Sequence, residues 1–180
     1  MKPIDFIIKI HRILLSILLI SSLFAELKVG DNAPTFFVRD LNEGNFFLSD
    51  TLKVQKPTVL SFFATWCVPC IEEMPILDTL SREYKDINFY FVNVSGLMQE
   101  KEKKIEDPIK VREMVTKLSI TTTILMDKYG KVAEKYGVKS LPKLVVIDEK
   151  GKINYIHDGY EKGDEIKHIE VLKKLSIDKK

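Results

Sequence analysis

Apolar residues follow two different periods along this chain, and the change of period predicts strands and helices in turn. Residues 57–63 and 88–94 are runs of apolar and β-branched residues, which are typical of buried strands. Between them, apolar residues recur every three or four positions over residues 67–84, which predicts an amphipathic helix. Because a strand, helix and strand in this order normally form a right-handed crossover, the two strands are expected to pair in parallel.

Shorter elements are predicted on both sides of this unit, so that the whole is expected to be one α/β domain. Asp107 and Pro108 are typical of a helix cap and a first helical position. The charge-dense residues 99–107 before that helix predict a loop or a solvated helix start. The predicted strands are 36–39, 46–48, 124–127, 144–147 and 152–157, and the further helices are 108–119, 128–136 and 161–175.

The N-terminal residues form a separate segment. The apolar stretch 13–25 follows basic residues and has the length of a signal peptide rather than the roughly 20 residues of a comfortable membrane span. A signal peptide cleaved after Ala25 would normally have a small residue at position 23, where Leu23 stands. Retention of the segment as a membrane anchor therefore stays open. We therefore expect residues 1–25 to be a signal peptide or an N-terminal membrane anchor, and residues 28–176 to be an extracytoplasmic domain, in the periplasm or on the outer face of the cytoplasmic membrane.

Composition and charge narrow the possible partners. The chain has 180 residues and 45% hydrophobic content, which fits one domain with a real core and a targeting segment. The formal net charge is +2, and the four charged residues of the N-terminal segment account for all of it: Lys2, Lys9, Arg12 and Asp5. The remaining charges balance, which gives no reason to expect nucleic acid as a partner.

Both cysteines of the chain lie at the predicted start of the central helix, as Cys67 and Cys70. Two thiols three residues apart share one side of the first helical turn, where they can close or open a small disulfide ring. The free backbone N–H groups and the positive end of the helix dipole favour a thiolate there. Cys67 is therefore expected to attack disulfides, and Cys70 to resolve the mixed disulfide.

Other uses of a cysteine pair fit the sequence less well. A structural zinc site usually takes four Cys or His ligands, and the three histidines, His11, His157 and His168, are far from the pair in sequence. We interpret His157 and His168 as surface or strand-edge residues without a ligand role. Covalent haem would need a histidine where Ile71 stands. A purely structural disulfide stays possible, although so short a ring removes little chain entropy.

Glu73 and Pro142 are further candidates, each with a plainer interpretation. Glu73 follows Cys70 by about one helical turn and could exchange protons with its thiol. Alternatively, Glu72 and Glu73 only favour the helix start electrostatically, worth roughly 0.3 to 1 kcal/mol. Pro142 has no N–H, and a cis Leu–Pro bond costs only about 0.5 to 1 kcal/mol, so the backbone before it could pair with a substrate peptide. A simple strand-entry proline is the alternative.

Three motifs resemble those of a known family. The segment Trp66–Pro75 is similar to the W-C-x-P-C-x-x-E-x-P signature of the TlpA/ResA group of thioredoxin-like proteins, and residues 29–36 and 136–142 are similar to two of its other motifs. The resemblance covers residues 28–176. It implies a central mixed sheet flanked by helices, with an N-terminal β-hairpin, a central insertion and a cis Pro142 that faces the dithiol.

The same resemblance implies a function. The chain would be an extracytoplasmic thiol-disulfide oxidoreductase that reduces protein disulfides through its own redox-active disulfide, without a bound cofactor or metal, and that receives electrons from a membrane thiol donor. The family's targets include apocytochrome c and the copper-site cysteines of respiratory oxidase, between which the sequence does not choose. The resemblance assigns catalysis to Cys67, Cys70 and Glu73, with Glu73 tuning the thiols, and substrate binding to Trp66, Leu141 and Pro142.

Two other functions remain as alternatives. A thiol peroxidase would place a threonine three residues before its reactive cysteine, where Ala64 stands, and would need a nearby arginine that the sequence does not identify. A copper chaperone could bind Cu(I) through the two sulfurs, because Cu(I) favours soft ligands. The usual helper histidine or methionine is not evident beside the motif.

Overall fold

The computed structural model describes residues 26–94 and 106–176, which fold around a mixed β-sheet with helices on both faces. The predicted α/β class is confirmed. The predicted N-terminal signal or anchor and most of the charge-dense segment 99–107 lie outside the described residues. The strands are β1 (Phe37–Asp40), β2 (Asn45–Phe47), β3 (Thr58–Phe63), β4 (Asn88–Val94), β5 (Thr123–Asp127), β6 (Lys143–Ile147) and β7 (Ile153–Asp158), and the helices are α1 (Leu48–Lys53), α2 (Val68–Glu83), α3 (Pro108–Lys117), α4 (Lys131–Lys135) and α5 (Asp164–Leu175).

The sheet has seven strands in the order β2-β1-β5-β4-β3-β6-β7. β3 pairs in parallel with β4, as the sequence predicted, and antiparallel with β6 on its other side. The register places Phe62 of β3 opposite Lys143, the first residue of β6. Because Pro142 precedes Lys143 and the cysteine segment follows β3, the register brings Pro142 and the dithiol to the same end of the sheet.

Side chains of the central strand alternate between two apolar cores, one on each face of the sheet. Val59 and Phe63 join the core formed with α2, α3 and α5, while Leu60 and Phe62 join the core formed with α1 and α4. Every residue of β3 is buried, because helices cover both faces. The dithiol helix is thus packed on the most buried strand of the sheet.

Local sequence signals explain some helix ends and not others. The side chain of Asp107 accepts a hydrogen bond from Ile109 N at 2.9 Å, so the predicted cap of α3 is confirmed. α2 continues past Pro75 to Glu83. α1 was not predicted, and the strand expected to reach residue 48 ends at Phe47. Leu48 is fully buried at the start of α1, and its burial, rather than a capping side chain, holds this short helix.

Among the described residues, no helix has both the length and the apolar character needed to cross a membrane.

Candidate active site

Cys67 and Cys70 form a disulfide at the N-terminus of α2, with 5.3 Å between their Cα atoms. The predicted disulfide at a helix start is confirmed. Cys67 is the N-cap residue, and its Sγ accepts a hydrogen bond from Cys70 N at 3.3 Å. The two sulfurs differ in access, because Cys67 is 4% exposed whereas Cys70 is completely buried. Any partner from solvent therefore meets Cys67 first.

The start of α2 favours negative charge on Cys67. The residue lies where the helix N–H groups lack intrahelical acceptors, and one of these groups, Cys70 N, already points at its sulfur. No acidic side chain stands in the first turn of the helix. In the reduced protein, these features lower the free energy of the Cys67 thiolate relative to the thiol.

An apolar rim surrounds the disulfide. Trp66 and Val68, the two neighbours of Cys67 in the chain, are 63% and 64% exposed. Leu141 is partly buried and packs on the core that contains both cysteines, while Pro142 is buried and follows a cis peptide bond. The structure thus brings the candidate substrate-binding residues to the end of the sheet where the disulfide lies.

Glu73 lies beneath the disulfide, one turn further along α2, and is only 1% exposed. The hydroxyl of Ser61 on β3 donates a long hydrogen bond of 3.4 Å to its Oε2. His168 Nε2 on α5 lies 3.3 Å from its Oε1, within ion-pair distance but without hydrogen-bond geometry. Glu72, by contrast, points to solvent.

The prediction that His168 is a surface or strand-edge residue is wrong. His168 is 1% exposed, because it lies on the face of α5 that also buries Leu172 four residues later. His157, on the edge strand β7, lies at a strand edge as predicted. Its ring centroid is 5.1 Å from that of His168, and its Nε2 is 3.0 Å from Asp164 Oδ2.

Tyr155, two residues before His157, also lies beside His168. Its ring lies 5.9 Å from the His168 ring, edge to face, and its hydroxyl is buried without a hydrogen-bond partner among the described residues. Burial, followed by the carboxylates of Asp164 and Glu73, raises the pKa of Tyr155 above its usual value. We call Glu73, His168, Tyr155, His157 and Asp164 the buried cluster.

A second carboxylate, Glu106, holds the loop before the disulfide. It accepts hydrogen bonds from Thr65 N and Thr65 Oγ1, each at 3.0 Å, and from Asn93 Nδ2 at 3.0 Å. This link joins the end of β4, the loop two residues before Cys67 and the chain leading into α3. This link was not predicted, because Glu106 lies within the run of alternating charges at residues 99–107.

Within residues 26–94 and 106–176, no group of three or more His, Cys, Asp or Glu side chains is arranged to hold a metal ion.

The mixed sheet and the helix-start disulfide define a thiol-disulfide oxidoreductase with a thioredoxin-like fold. The family described as Redoxin matches residues 28–172, and the chain belongs to this family.

Curated relatives support the same class. The thioredoxin-like protein YneN of Bacillus subtilis is 38% identical over 130 residues, which are 72% of this chain and 71% of the relative. The thiol-disulfide oxidoreductase ResA of Bacillus thuringiensis is 30% identical over 151 residues, covering 84% of this chain and 80% of the relative. The predicted resemblance to the TlpA/ResA group is thereby confirmed.

A solved structure agrees with the fold. The exposed lipoprotein thioredoxin Etrx1 of Streptococcus pneumoniae superimposes with a TM-score of 0.64 at 29% identity, over 79% of this chain and all of that chain.

Proposed function

We propose that this oxidoreductase reduces disulfides of proteins outside the cytoplasm, with Cys67 as the attacking thiolate and Cys70 as the resolving thiol. The difference in access between the two cysteine residues is the main support: Cys67 caps the helix and keeps 4% of its surface exposed, whereas Cys70 is fully buried behind it. A buried thiol cannot meet a large substrate directly, but it can reach the sulfur three residues before it.

The proposed reaction has two exchange steps. The Cys67 thiolate attacks one sulfur of the substrate disulfide, the substrate S–S bond breaks, and the other substrate sulfur leaves as a thiolate that takes a proton from water. Cys70 then loses its proton and attacks Cys67 Sγ, which releases the second substrate sulfur as a thiolate. The substrate gains two electrons and the Cys67–Cys70 disulfide forms. A membrane thiol donor is proposed to return the protein to its reduced state.

Glu73 is proposed to accept the proton that Cys70 loses. The carboxylate is one turn from Cys70 on the same helix, and both residues are buried. Its Oε1 has no hydrogen-bond partner among the described residues, so this oxygen is available to accept the proton.

The apolar rim is proposed to bind the substrate chain. Trp66 offers an exposed aromatic surface beside the reactive sulfur, and such surfaces are frequent anchors in protein recognition. The backbone at Leu141 can pair with an extended peptide, because Pro142 has no N–H that would compete. Apocytochrome c and copper-site proteins are the proposed substrate classes, as the resemblance to the TlpA/ResA group implies.

Residues 1–25 are proposed to export the domain 28–176, either as a cleaved signal peptide or as an anchor. The basic flank and apolar stretch of this segment support export, and the similar pneumococcal protein is described as an exposed lipoprotein. Labelling intact cells with a membrane-impermeant thiol reagent tests the location. Labelling of the reduced full chain before lysis is expected, and labelling only after lysis contradicts it.

A redox titration of the Cys67–Cys70 couple, followed by thiol alkylation, tests the direction of the reaction. A reductant is expected to have a potential near that of thioredoxin, about −270 mV, whereas a value near −120 mV would mark an oxidant.

Trapping tests the roles of the two cysteines. Cys70→Ala is expected to accumulate a mixed disulfide between Cys67 and a purified protein disulfide substrate. The matched variant Cys67→Ala is expected to form none, because the remaining thiol is buried. Equal trapping by both variants would contradict the assignment.

A further inference from the structure

The proton that Glu73 accepts has no direct exit to solvent. Glu73 and His168 are each 1% exposed, and Cys70 is fully buried above them. Each catalytic cycle nevertheless has to release this proton before Glu73 can act again. The neighbours of Glu73 therefore have to include a group that can take the proton, and the inference drawn from them rests on the proposed role of Glu73.

We propose that His168 is a positioning residue that takes this proton from Glu73 and shares it with that carboxylate, beside the His157–Asp164 pair at the edge of the sheet. In the first step the Cys70 thiol gives its proton to the Glu73 carboxylate, which leaves a thiolate and a carboxylic acid. In the second step Glu73 gives the proton to His168 Nε2, which restores the carboxylate and leaves an imidazolium. No electron moves in either step.

The facing atoms of Glu73 and His168 carry this proposal. Oε1 and Nε2 lie 3.3 Å apart, and neither atom has a hydrogen-bond partner among the described residues. The other ring nitrogen of His168, Nδ1, also has none. Buried polar atoms are costly unless they are bonded, and a purely structural histidine would normally be bonded. A proton shared between Glu73 Oε1 and His168 Nε2 satisfies both atoms.

The rest of the buried cluster continues toward the surface. The His157 ring packs edge to face on the His168 ring at 5.1 Å, and His157 Nε2 lies 3.0 Å from Asp164 Oδ2. The side chains of His157 and Asp164 are 20% and 18% exposed, so both reach water. His157 thus contacts the buried imidazole on one side and a solvent-accessible carboxylate on the other.

Two more titratable groups face His168, one from β7 and one from α5. Tyr155 of β7 stays a neutral phenol, because burial and the nearby carboxylates of Asp164 and Glu73 raise its pKa. Glu165 of α5 is held by Gly163 N at 2.7 Å and by the Tyr160 hydroxyl at 3.1 Å. Of the groups around His168, His157 is therefore the one that contacts both the buried imidazole and a solvent-accessible carboxylate.

A two-phase reaction separates the two thiols and tests the proposal. The reduced protein is mixed with an aromatic disulfide reagent that releases coloured thionitrobenzoate, first when Cys67 attacks and again when Cys70 resolves the adduct. His168→Gln is expected to slow the second phase by about tenfold, less than the ~100-fold typical for loss of a group that transfers the proton itself. The first phase is expected to stay within about twofold, since His168 acts through Glu73 and not on Cys67. Lys173→Gln, an exposed position on α5 outside the buried cluster, is the matched control and is expected to match the wild type in both phases.

A double-mutant cycle distinguishes this role from a general structural one. If His168 acts through Glu73, adding His168→Gln to Glu73→Gln slows the second phase no further. Additive effects would overturn the proposal, as would a His168→Gln variant with a normal second phase. If Glu73→Gln alone leaves the second phase unchanged, the proposed role of Glu73 as proton acceptor is wrong. This result differs from additive effects of the two substitutions, so failure of the Glu73 role can be distinguished from failure of the His168 role.

A measurement that leaves His168 in place covers the case in which His168→Gln does not fold. In protein labelled with ¹⁵N-histidine, the ring nitrogen shifts of His168 report its protonation. These shifts are expected to change between wild type and Glu73→Gln in the reduced state. Unchanged His168 shifts would overturn the proposal that Glu73 and His168 share a proton.

Discussion

Two buried carboxylates on α2, Asp78 and Glu73, are bonded in opposite ways. Asp78 is 2% exposed, and its Oδ1 accepts hydrogen bonds of 2.8 Å from Thr121 N, Thr122 N and Thr122 Oγ1, while Arg82 pairs with its Oδ2. Glu73 is equally buried and has one long hydrogen bond from Ser61. The hydrogen bonds of Asp78 thus join α2 to the loop before β5, whereas Glu73 is held by one long hydrogen bond only.

The difference separates a structural carboxylate from one that can exchange a proton. Burial raises the pKa of Asp78, but the hydrogen bonds from Thr122 and Thr121 together outweigh it and lower the pKa below its usual value. A group so held stays charged and keeps one geometry. Glu73 lacks such a set of donors, and its Oε1 has no hydrogen-bond partner among the described residues.

Asp78→Ala is expected to have the largest effect, a loss of about 3 kcal/mol in the free energy of unfolding. The reason is that two backbone N–H groups and Arg82 lose their acceptor together. Urea unfolding measures it. Glu72→Ala, an exposed position on the same helix, is the control and is expected to change stability by less than about 0.5 kcal/mol. A similarly small loss of unfolding free energy for Asp78→Ala would contradict the structural role of Asp78.

Glu73→Gln is expected to show the reverse pattern. The resolving phase of thiol exchange should slow about 100-fold, because the proton acceptor of Cys70 is lost. The free energy of unfolding should change by less than about 1 kcal/mol, since only one long hydrogen bond is affected. Stopped-flow absorbance and urea unfolding give the two numbers. A large loss of stability with normal kinetics would make Glu73 a second structural carboxylate.

The pH dependence of stability should follow Asp78. Because its folded pKa lies below the unfolded value of 3.8, the stabilisation is complete above that value and is lost as the pH falls through the folded pKa. The difference in unfolding free energy between wild type and Asp78→Asn is therefore expected to shrink below about pH 4. Urea unfolding at several acid pH values checks this. A constant difference would mean that the Asp78 bonds do not depend on its charge.

Ser61→Ala is expected to have the smallest effect. The Ser61 hydroxyl lies 3.4 Å from Glu73, so its loss should cost about 0.5 kcal/mol of stability and change the resolving phase by less than about threefold. The same two assays measure both quantities. A change in rate as large as that of Glu73→Gln would show that Ser61, rather than His168, controls the carboxylate.

Strong local patterns in the sequence predicted the centre of the fold. The apolar runs of β3 and β4 and the three-and-four spacing of α2 lie within one continuous segment, so local periodicity was sufficient to place them. The pairing of β1 with β5 joins residues far apart in the chain, and no local signal encodes it. α1 was missed because its six residues depend on the burial of Leu48 in tertiary structure.

The candidate site was predictable where residues adjoin in sequence and not where they meet only in space. Cys67, Cys70 and Glu73 lie on one helical face, which the spacing alone reveals. His168 was misjudged because its neighbours on α5 are charged, although Leu172 one turn later places it on the buried face. Attention to that spacing would have predicted its burial. Its contact with Glu73 needs the packing of α5 on α2.

The hydrogen bonds of Glu106 have a mechanical consequence. One side chain joins the loop before Cys67, the end of β4 and the beginning of α3, so a displacement of α3 is transmitted to Thr65 through directed bonds as well as through packing. Ile109 on the first turn of α3 stands largely in solvent, where another molecule can press on it. The position of the reactive sulfur is thus sensitive to forces applied to a helix that supplies no atom to the chemistry.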